Sequence, residues 1–585
     1  MWQQETNPFH HLALSAGAAS VPILALFFLL ITKKLSGHLA AVCTLILGLT
    51  VAVLAFGMPV KLAALSTLYG ILNGLFPIGW ILVSAVFLYN LSVKSGGFTT
   101  VCRSIEAVTA DRRLQALLIA FSLGAFLEGC AGFGAPVAIT TAMLVGLGFQ
   151  PLYAAGICLL ANSAPVAFGS IGIPVITAGQ TSGVDPVLIG HMIAHQLPLL
   201  SLILPFWLIL FMSGWKGMRE VWPAILVTAG SYSLTIYLVA TFLGPLLPDI
   251  LASLVSLSCL VLFLRVWKPK NIWRFPQEAA HAPAPVSARA SSRELLRAWT
   301  PFVLLILFVG NWGVAGTKAI LDQVTLKLPM SGLNHAIAAG GKALTITYSF
   351  AWLSAAGTAI FAAAVLAALL LRMPARQVGE VFGESLRSLR NPLVTLASIV
   401  GFAYLANYSG MSLALGNALT VTGHFFPLVA PIIGWIGVFV SGSDTSSNAL
   451  FSNMQRATAT HLGLNPLLTI AANTDGGVIG KMISPQSIAV ATASSHLTGQ
   501  EGQLFRLALP HSLGLLSLVC LLTYLQAYYL QGMAPPLPPA AFTAAKPGVA
   551  ALGGSGFAIL GASVLILAGL VSFNLLPRPA GERSR

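Results

Sequence analysis

Residues 126–175, FLEGCAGFGAPVAITTAMLVGLGFQPLYAAGICLLANSAPVAFGSIGIPV, are apolar enough for a lipid bilayer, yet they are interrupted again and again. The stretch carries Glu128, clustered glycines, Pro136, Pro151, Pro165 and Pro174, and the polar pair Asn162–Ser163. In hydrocarbon every backbone N–H and C=O must find a partner, so an unbroken helix is the default. A chain that stops partway through the membrane, turns and resumes needs such punctuation, and broken helices of that kind build transporter binding sites.

The second half repeats the arrangement in residues 439–485, FVSGSDTSSNALFSNMQRATATHLGLNPLLTIAANTDGGVIGKMISP. Asn162–Ser163 has a counterpart in Asn473–Thr474, each pair preceded by alanine. A glycine follows each asparagine by seven residues (Gly169, Gly480) and a proline by twelve (Pro174, Pro485). Upstream, Gly146 to Pro151 mirrors Gly463 to Pro466, and Glu128–Gly129 sits where Ser441, Gly442 and Asp444 sit. Weak internal symmetry between two Gly/Pro-interrupted apolar segments points to a substrate site between two repeats.

Of the 585 residues, 56% are hydrophobic and 8% charged. A soluble domain carries about a quarter charged residues, so the composition fits an all-α polytopic membrane protein. Apolar spans fall at 12–31, 39–58, 64–91, 114–128, 186–212, 221–244, 248–265, 299–316, 346–371, 391–415, 421–441, 507–530 and 552–576. With the repeat cores fitted between them, the expectation is about 12–14 membrane elements in two inverted repeats with broken or re-entrant segments. The domain reading places an N-terminal half at 1–265 with its core at 114–175, and a basic linker at 266–298. A C-terminal half follows at 299–532 with its core at 421–495, and 533–585 holds a Pro/Ala connector and one extra span.

The net charge of +14 gathers in short loops rather than on a nucleic-acid-binding face, as the positive-inside rule requires. Lys33–Lys34 put the end of the first span in the cytoplasm, and Lys94, Arg103, Arg112 and Arg113 do the same for the loop after the third. Arg372, Arg376, Arg387 and Arg390 mark another inner loop. On this count the helix leading into Glu128 enters from the cytoplasm and the one leading into Ser441 from outside. Six scattered cysteines suggest no metal, and neither a nucleophile elbow nor HExxH argues for an enzyme. No cofactor is expected.

Sixteen acidic residues exist, and Glu128, Asp444 and Asp475 fall inside the repeat cores. An ionised acid at mid-membrane costs roughly 2.5–3.5 kcal/mol on insertion scales, which makes each a functional candidate. Burial favours the neutral, protonated carboxyl, so Glu128 and Asp444 are candidates for a coupling proton. Each also has a structural reading, Glu128 as a turn cap and Asp444 as an N-cap; sodium coupling competes with proton coupling. Lys481 is the basic residue best placed to meet an anionic substrate, against snorkelling to the interface. Half-helix N-termini with Asn162, Ser163, Asn473 and Thr474 would make an anion site suited to a small carboxylate. His191 and His195 share a helix face and read as packing.

At these motifs the sequence resembles the lactate permease family of bacterial inner-membrane carriers. The resemblance rests on FLEGCAGFGAPVAI (126–139), GLGFQPLYAAGICLLANSAPVAFGSIGIP (146–174), GSDTSSNALF (442–451), AANTDGGVIGKMISPQSIA (471–489), RAWTPF (297–302) and NYSG (407–410), across residues 1–532. It implies proton-coupled uptake of L-lactate, with D-lactate and glycolate as co-substrates. It also implies inverted repeats with re-entrant hairpins, in a multi-pass protein of the bacterial plasma (inner) membrane. Carried onto this sequence, it directs attention to Asn162, Ser163, Thr445, Ser446, Asn473, Thr474, Lys481 and Ser484 for substrate, and to Glu128 and Asp444 for the proton. Carriers of gluconate or dicarboxylates, sodium-coupled symporters and anion channels are the alternatives. Oligomeric state is left open, a homo-oligomer included.

Overall fold

The computed structural model describes residues 1–32, 35–132, 134–275 and 291–536. The final span expected at 552–576, nearly all of the Pro/Ala connector and residues 276–290 of the linker lie outside the described residues. Among the described residues, ten helices are long and apolar enough to cross a membrane, or eleven spans when the bent pair Pro151–Ala161 and Val166–Ser182 is included. The spans expected at 186–212 and 221–244 are both helical, two helices within Leu197–Phe242 that meet at a non-helical Gly214 (φ 67°, ψ −176°). The span expected at 346–371 begins instead with a strand, Thr347–Phe350, followed by a short helix, Ala356–Leu370. The remaining difference lies in the repeat cores, which are built from short pieces.

In the first half, Arg112–Cys130 stops at Gly132 and Gly134, both in the left-handed region, and Ala135–Gly146 packs back against it. Pro151–Ala161 follows, and the chain then bends by 65° before continuing to Ser182. In the second half, Phe426–Ser441 stops at Gly442, and Asp444–His461 returns beside it. Pro466–Lys481 follows, breaks at Met482–Ser484 and resumes as Pro485–Ser494. Pro151, Pro466 and Pro485 each open their helix, where the missing N–H is not needed and the fixed φ is already helical. Side-chain caps complete these starts: Asn465 accepts from the Leu467 N–H at 3.0 Å and Ser484 from the Ser487 N–H at 3.2 Å.

Lipid offers helices little hydrophobic reason to associate, so small residues that permit close contact carry the packing. Phe426–Ser441 and Pro466–Lys481 form the most extensive helix pair in the protein. A Cβ added at Gly434 would run into the Asn473 carbonyl, and one at Gly476 into the carbonyl of Pro431. Contacts also cross between the halves. Ala375–Ser409 packs on Gly37–Leu54 and Val60–Lys94, and Gly169–Ser182 packs on Asp444–His461. At the N-terminus, Trp2–Gln3 pairs in parallel with Ile337–Ala339, tying the first residues to the segment before the short helix.

On the side marked cytoplasmic by its basic loops, Arg113 is fully buried. Its guanidinium donates to Asp111 at 2.8 Å, Glu220 at 2.8 Å and the carbonyls of Gly217 and Asn271. A buried guanidinium is tolerable only when paired and hydrogen-bonded, and here it ties the start of Arg112–Cys130 to Leu197–Phe242 and the linker.

Candidate functional site

The broken segments meet around a cavity of about 510 Å³. Its floor carries Glu128 from the first half, with Asp444, Thr445, Ser446 and Lys481 from the second. Exposed Ser36 and Asn391 also line it, Asn391 directly following the basic stretch 387–390. Of the sequence candidates, these five floor residues are brought together in one chamber.

At the floor, Lys481 Nζ donates to Glu128 Oε1 at 2.5 Å, with Glu128 3% and Lys481 11% exposed. Lys481 is the last residue of Pro466–Lys481, so the helix end delivers it; Glu128 sits two residues before the end of Arg112–Cys130. The carboxylate lies against Gly169, where an added Cβ would stand 3.0 Å from Oε1. Glu128 Oε2 is buried without a partner. A buried ion pair owes its net stability to geometry and additional hydrogen bonds, and this one is left incomplete on the acid's side.

The backbone next to Glu128 is held in an uncommon conformation. Ser170, Ile171 and Gly172 have φ of 48°, 59° and 71° in succession. A β-branched residue in that region is an outlier that costs on the order of 1–3 kcal/mol. Tertiary contacts hold it: Ser170 Oγ donates to the Ala131 carbonyl at 3.2 Å, Ile171 is fully buried, and Gly172 lies tight on the Pro245 carbonyl.

Asp444 opens Asp444–His461, and Ser443 caps that helix by accepting from the Ser446 N–H at 3.2 Å. Asn448 Nδ2 donates to Asp444 Oδ2 at 3.3 Å and to the Pro174 carbonyl at 3.3 Å, leaving Asp444 Oδ1 unpartnered. Asn448 Oδ1 in turn accepts from Asn473 Nδ2 at 2.9 Å and Thr474 Oγ1 at 3.0 Å. Three elements of the site converge on this one side chain.

The remaining candidates lie outside the cavity wall. Helix Pro466–Lys481 runs unbroken through Asn473–Thr474, so the half-helix N-terminus expected there is absent. The break falls eight residues later, because the Asn473 carbonyl is locked against Gly434 and its side chain against Asn448. Asn162 does stand at a break, as the residue ending Pro151–Ala161, and its buried Oδ1 has no partner. Ser163 Oγ turns back to the Leu159 carbonyl at 3.4 Å. Ser484 is a fully buried cap beside the cavity residues Pro485, Gln486 and Ser487.

Residues 15–530 match the family profile described as L-lactate permease. The chain belongs to the L-lactate permease family. It is 46% identical to the L-lactate permease of Escherichia coli strain K12 over 549 residues, covering 92% of this chain and all of that protein. Identity is also 46% to the glycolate permease GlcA of the same strain, over 91% of this chain and 99% of the relative. Among solved structures, the Alcanivorax borkumensis YdaH transporter superposes with a TM-score of 0.43 and 17% identity, over 80% of this chain and 89% of that one. Like its family, the chain is a multi-pass protein of the bacterial plasma (inner) membrane.

Three site residues of this permease-family chain escaped the sequence reading. Asn448 stands within GSDTSSNALF, but a lone asparagine among hydroxyl residues reads as helix-start chemistry. Ser170 stands within GSIGIP, where the glycines announce a turn without saying which side chain it aims. Asp249 occupies the first turn of Pro248–Val266, where an acid reads as a dipole partner. It is instead 1% exposed and packed on Gly129, beside Glu128.

Proposed function

We propose that this protein is a secondary transporter that imports L-lactate, and also D-lactate and glycolate, by proton symport. The observation that carries the reading is the Lys481–Glu128 ion pair at the floor of the cavity. With Glu128 ionised, Lys481 already has its anion. A proton on Glu128 removes that partner and frees Lys481 for the carboxylate of the substrate. Substrate anion and proton then enter as a neutral set, since neither leaves an unpaired charge in the membrane only when both are present.

Around Lys481, the N-terminus of Asp444–His461 contributes its N–H dipoles with Thr445 and Ser446, and Pro485–Ser494 contributes another with Ser487 as a hydroxyl partner, held from behind by Ser484. Asp444 is the second acid within reach of Lys481 and the second candidate for the coupling proton. Asn162, Ser163, Asn473 and Thr474 act behind this surface, the last two by orienting Asn448 toward Asp444.

Basic loops favour entry of Arg112–Cys130 from the cytoplasmic side, and counting spans onward gives Phe426–Ser441 the opposite direction. That opposition is what an inverted repeat supplies to alternating access. Exposed Ser36 and Asn391 line the cavity close in sequence to basic loops, which supports reading this as an inward-facing state. On the outer side, Tyr404 Oη donates to the Gln180 carbonyl at 3.0 Å and Asn407 Nδ2 to the Thr181 carbonyl at 2.6 Å, sealing Gly169–Ser182 to Ala375–Ser409.

Uptake of labelled L-lactate into proteoliposomes tests the reading. Accumulation driven by an imposed pH gradient, and blocked by excess glycolate or D-lactate, is the expected result. Accumulation with a sodium gradient alone would replace the coupling ion, and no uptake under either gradient would remove lactate as substrate.

A further inference from the structure

Glu128 has a second carboxyl behind it. Asp249 lies in the first turn of Pro248–Val266, 1% exposed, on the face that packs against Arg112–Cys130. The contact is close because residue 129 is glycine: an added Cβ there would stand 2.9 Å from Asp249 Cβ. Tyr232, fully buried on Leu197–Phe242, donates its hydroxyl to Asp249 Oδ1 at 3.2 Å. Asp249 Oδ2 has no partner, and neither has Glu128 Oε2. A helix-capping role does not account for Asp249, since this helix start has no side-chain cap hydrogen bond.

The charges around the site sharpen the question. Glu128, Asp249, Asp444 and Asp475 are all buried, and Lys481 is the cation among them. Four carboxyls and one ammonium are neutral together only when three protons are present, and an uncompensated charge here is expensive. Near Asp249 stand Tyr232 of Leu197–Phe242, which donates to it, and Glu128 and Cys130 on either side of Gly129, with Lys481 of Pro466–Lys481 paired to Glu128. Each time Lys481 reclaims Glu128, the proton on Glu128 must move to another base.

We propose that Asp249 is that base: it accepts the proton from Glu128 when the Lys481–Glu128 pair re-forms. The O–H bond at Glu128 Oε2 breaks and one forms at Asp249 Oδ2, directly or through one water. No electron changes hands, and the total charge of the two carboxyls is constant. Tyr232 holds Oδ1, and Oδ2 is the oxygen without a hydrogen-bond partner. The inference rests on the proton-symport reading, deepening it from one carboxyl to two.

The test compares wild type, Asp249→Asn, Asp249→Glu and Tyr232→Phe in proteoliposomes. Two readouts are taken: accumulation of labelled L-lactate under a pH gradient, and lactate–lactate exchange, which needs no net proton movement. The expected result is that Asp249→Asn loses accumulation while exchange falls far less, and that Asp249→Glu restores uphill uptake. Tyr232→Phe shifts the pH midpoint of accumulation. Should Asp249→Asn fail to fold, as judged by size-exclusion chromatography and thermal melting, Tyr232→Phe decides: an unmoved midpoint overturns the proposal. Full accumulation in a folded Asp249→Asn variant also overturns it. Wild type that shows no pH-driven uptake would instead defeat the symport reading, which separates the two failures.

Discussion

The two broken segments look alike in sequence and differ in construction. Around Glu128 the chain is held open by conformation: left-handed glycines at 132 and 134 and three successive positive-φ residues at 170–172. Around Lys481 the chain is held shut by packing: a glycine-faced helix pair, and the Asn448 network gathering Asp444, Asn473 and Thr474. The first segment is a site built on uncommon backbone conformations and the second a closely packed wall that offers it one lysine. Elements that move in a transport cycle are drawn from the less stabilised end of a structure, so on the proposed reading the first segment is the one expected to move and the second the reference frame.

The largest effect expected from this contrast is on the ion pair joining the segments. Glu128→Gln should abolish pH-driven accumulation of lactate in proteoliposomes, because the glutamine can neither carry the proton nor compete for Lys481. Asp444→Asn, on the opposite wall, should also lose accumulation. Gradient-driven uptake retained in both variants would remove these carboxyls from coupling and erase the functional side of the contrast.

Next comes the packing. Gly434→Ala and Gly476→Ala each drive a methyl group into a neighbouring backbone carbonyl. Overpacking of this kind costs about 1–3 kcal/mol or more, and here the colliding atom is main chain and cannot rotate away. Both variants should melt well below wild type in detergent, whereas Gly146→Ala, near the first segment with open space around it, should not. Equal melting temperatures for all three would show that the second segment is no more tightly built than the first.

The asparagines extend the same comparison at smaller scale. Asn448→Ala orphans Asn473 Nδ2 and weakens the tie to Thr474; with a buried unpaired group worth about 1–3 kcal/mol, its melting temperature should fall clearly. Asn162→Ala removes an oxygen that has no partner to lose, so stability should change little while lactate affinity reports any substrate contact. A large loss of stability in Asn162→Ala would place a structural bond at the first break.

These differences mark how far the sequence could be read. Helical class, the two interrupted cores and the convergence of Glu128, Asp444, Thr445, Ser446 and Lys481 were legible, because charge in hydrocarbon and Gly/Pro punctuation are strong constraints. The register of the second break was not. Matching Asn473 to Asn162 assumed that equal spacing means equal geometry, whereas the helix through Asn473 is continued by contacts from Gly434 and Asn448, residues 39 and 25 positions away. Asp249 was illegible for a related reason: nothing local distinguishes a helix-start acid facing solvent from one folded onto Gly129.

The smallest effect concerns how the helices of the two segments begin. Asp444–His461 starts on a serine cap, Ser443 accepting from the Ser446 N–H, whereas Ala135–Gly146 starts on Gly134 at φ 87° with no side-chain cap. Ser443→Ala should cost about 1 kcal/mol, the ordinary worth of an N-cap, and lower the melting temperature modestly. Because the same N-terminus faces the cavity beside Lys481, the variant should also raise the KM for lactate, through looser N–H groups, without changing the pH at which accumulation is half-maximal. A shifted pH midpoint would mean that the cap acts through Asp444, the first residue of the helix it starts, and would make Asp444 rather than Glu128 the carboxyl that sets the pH dependence.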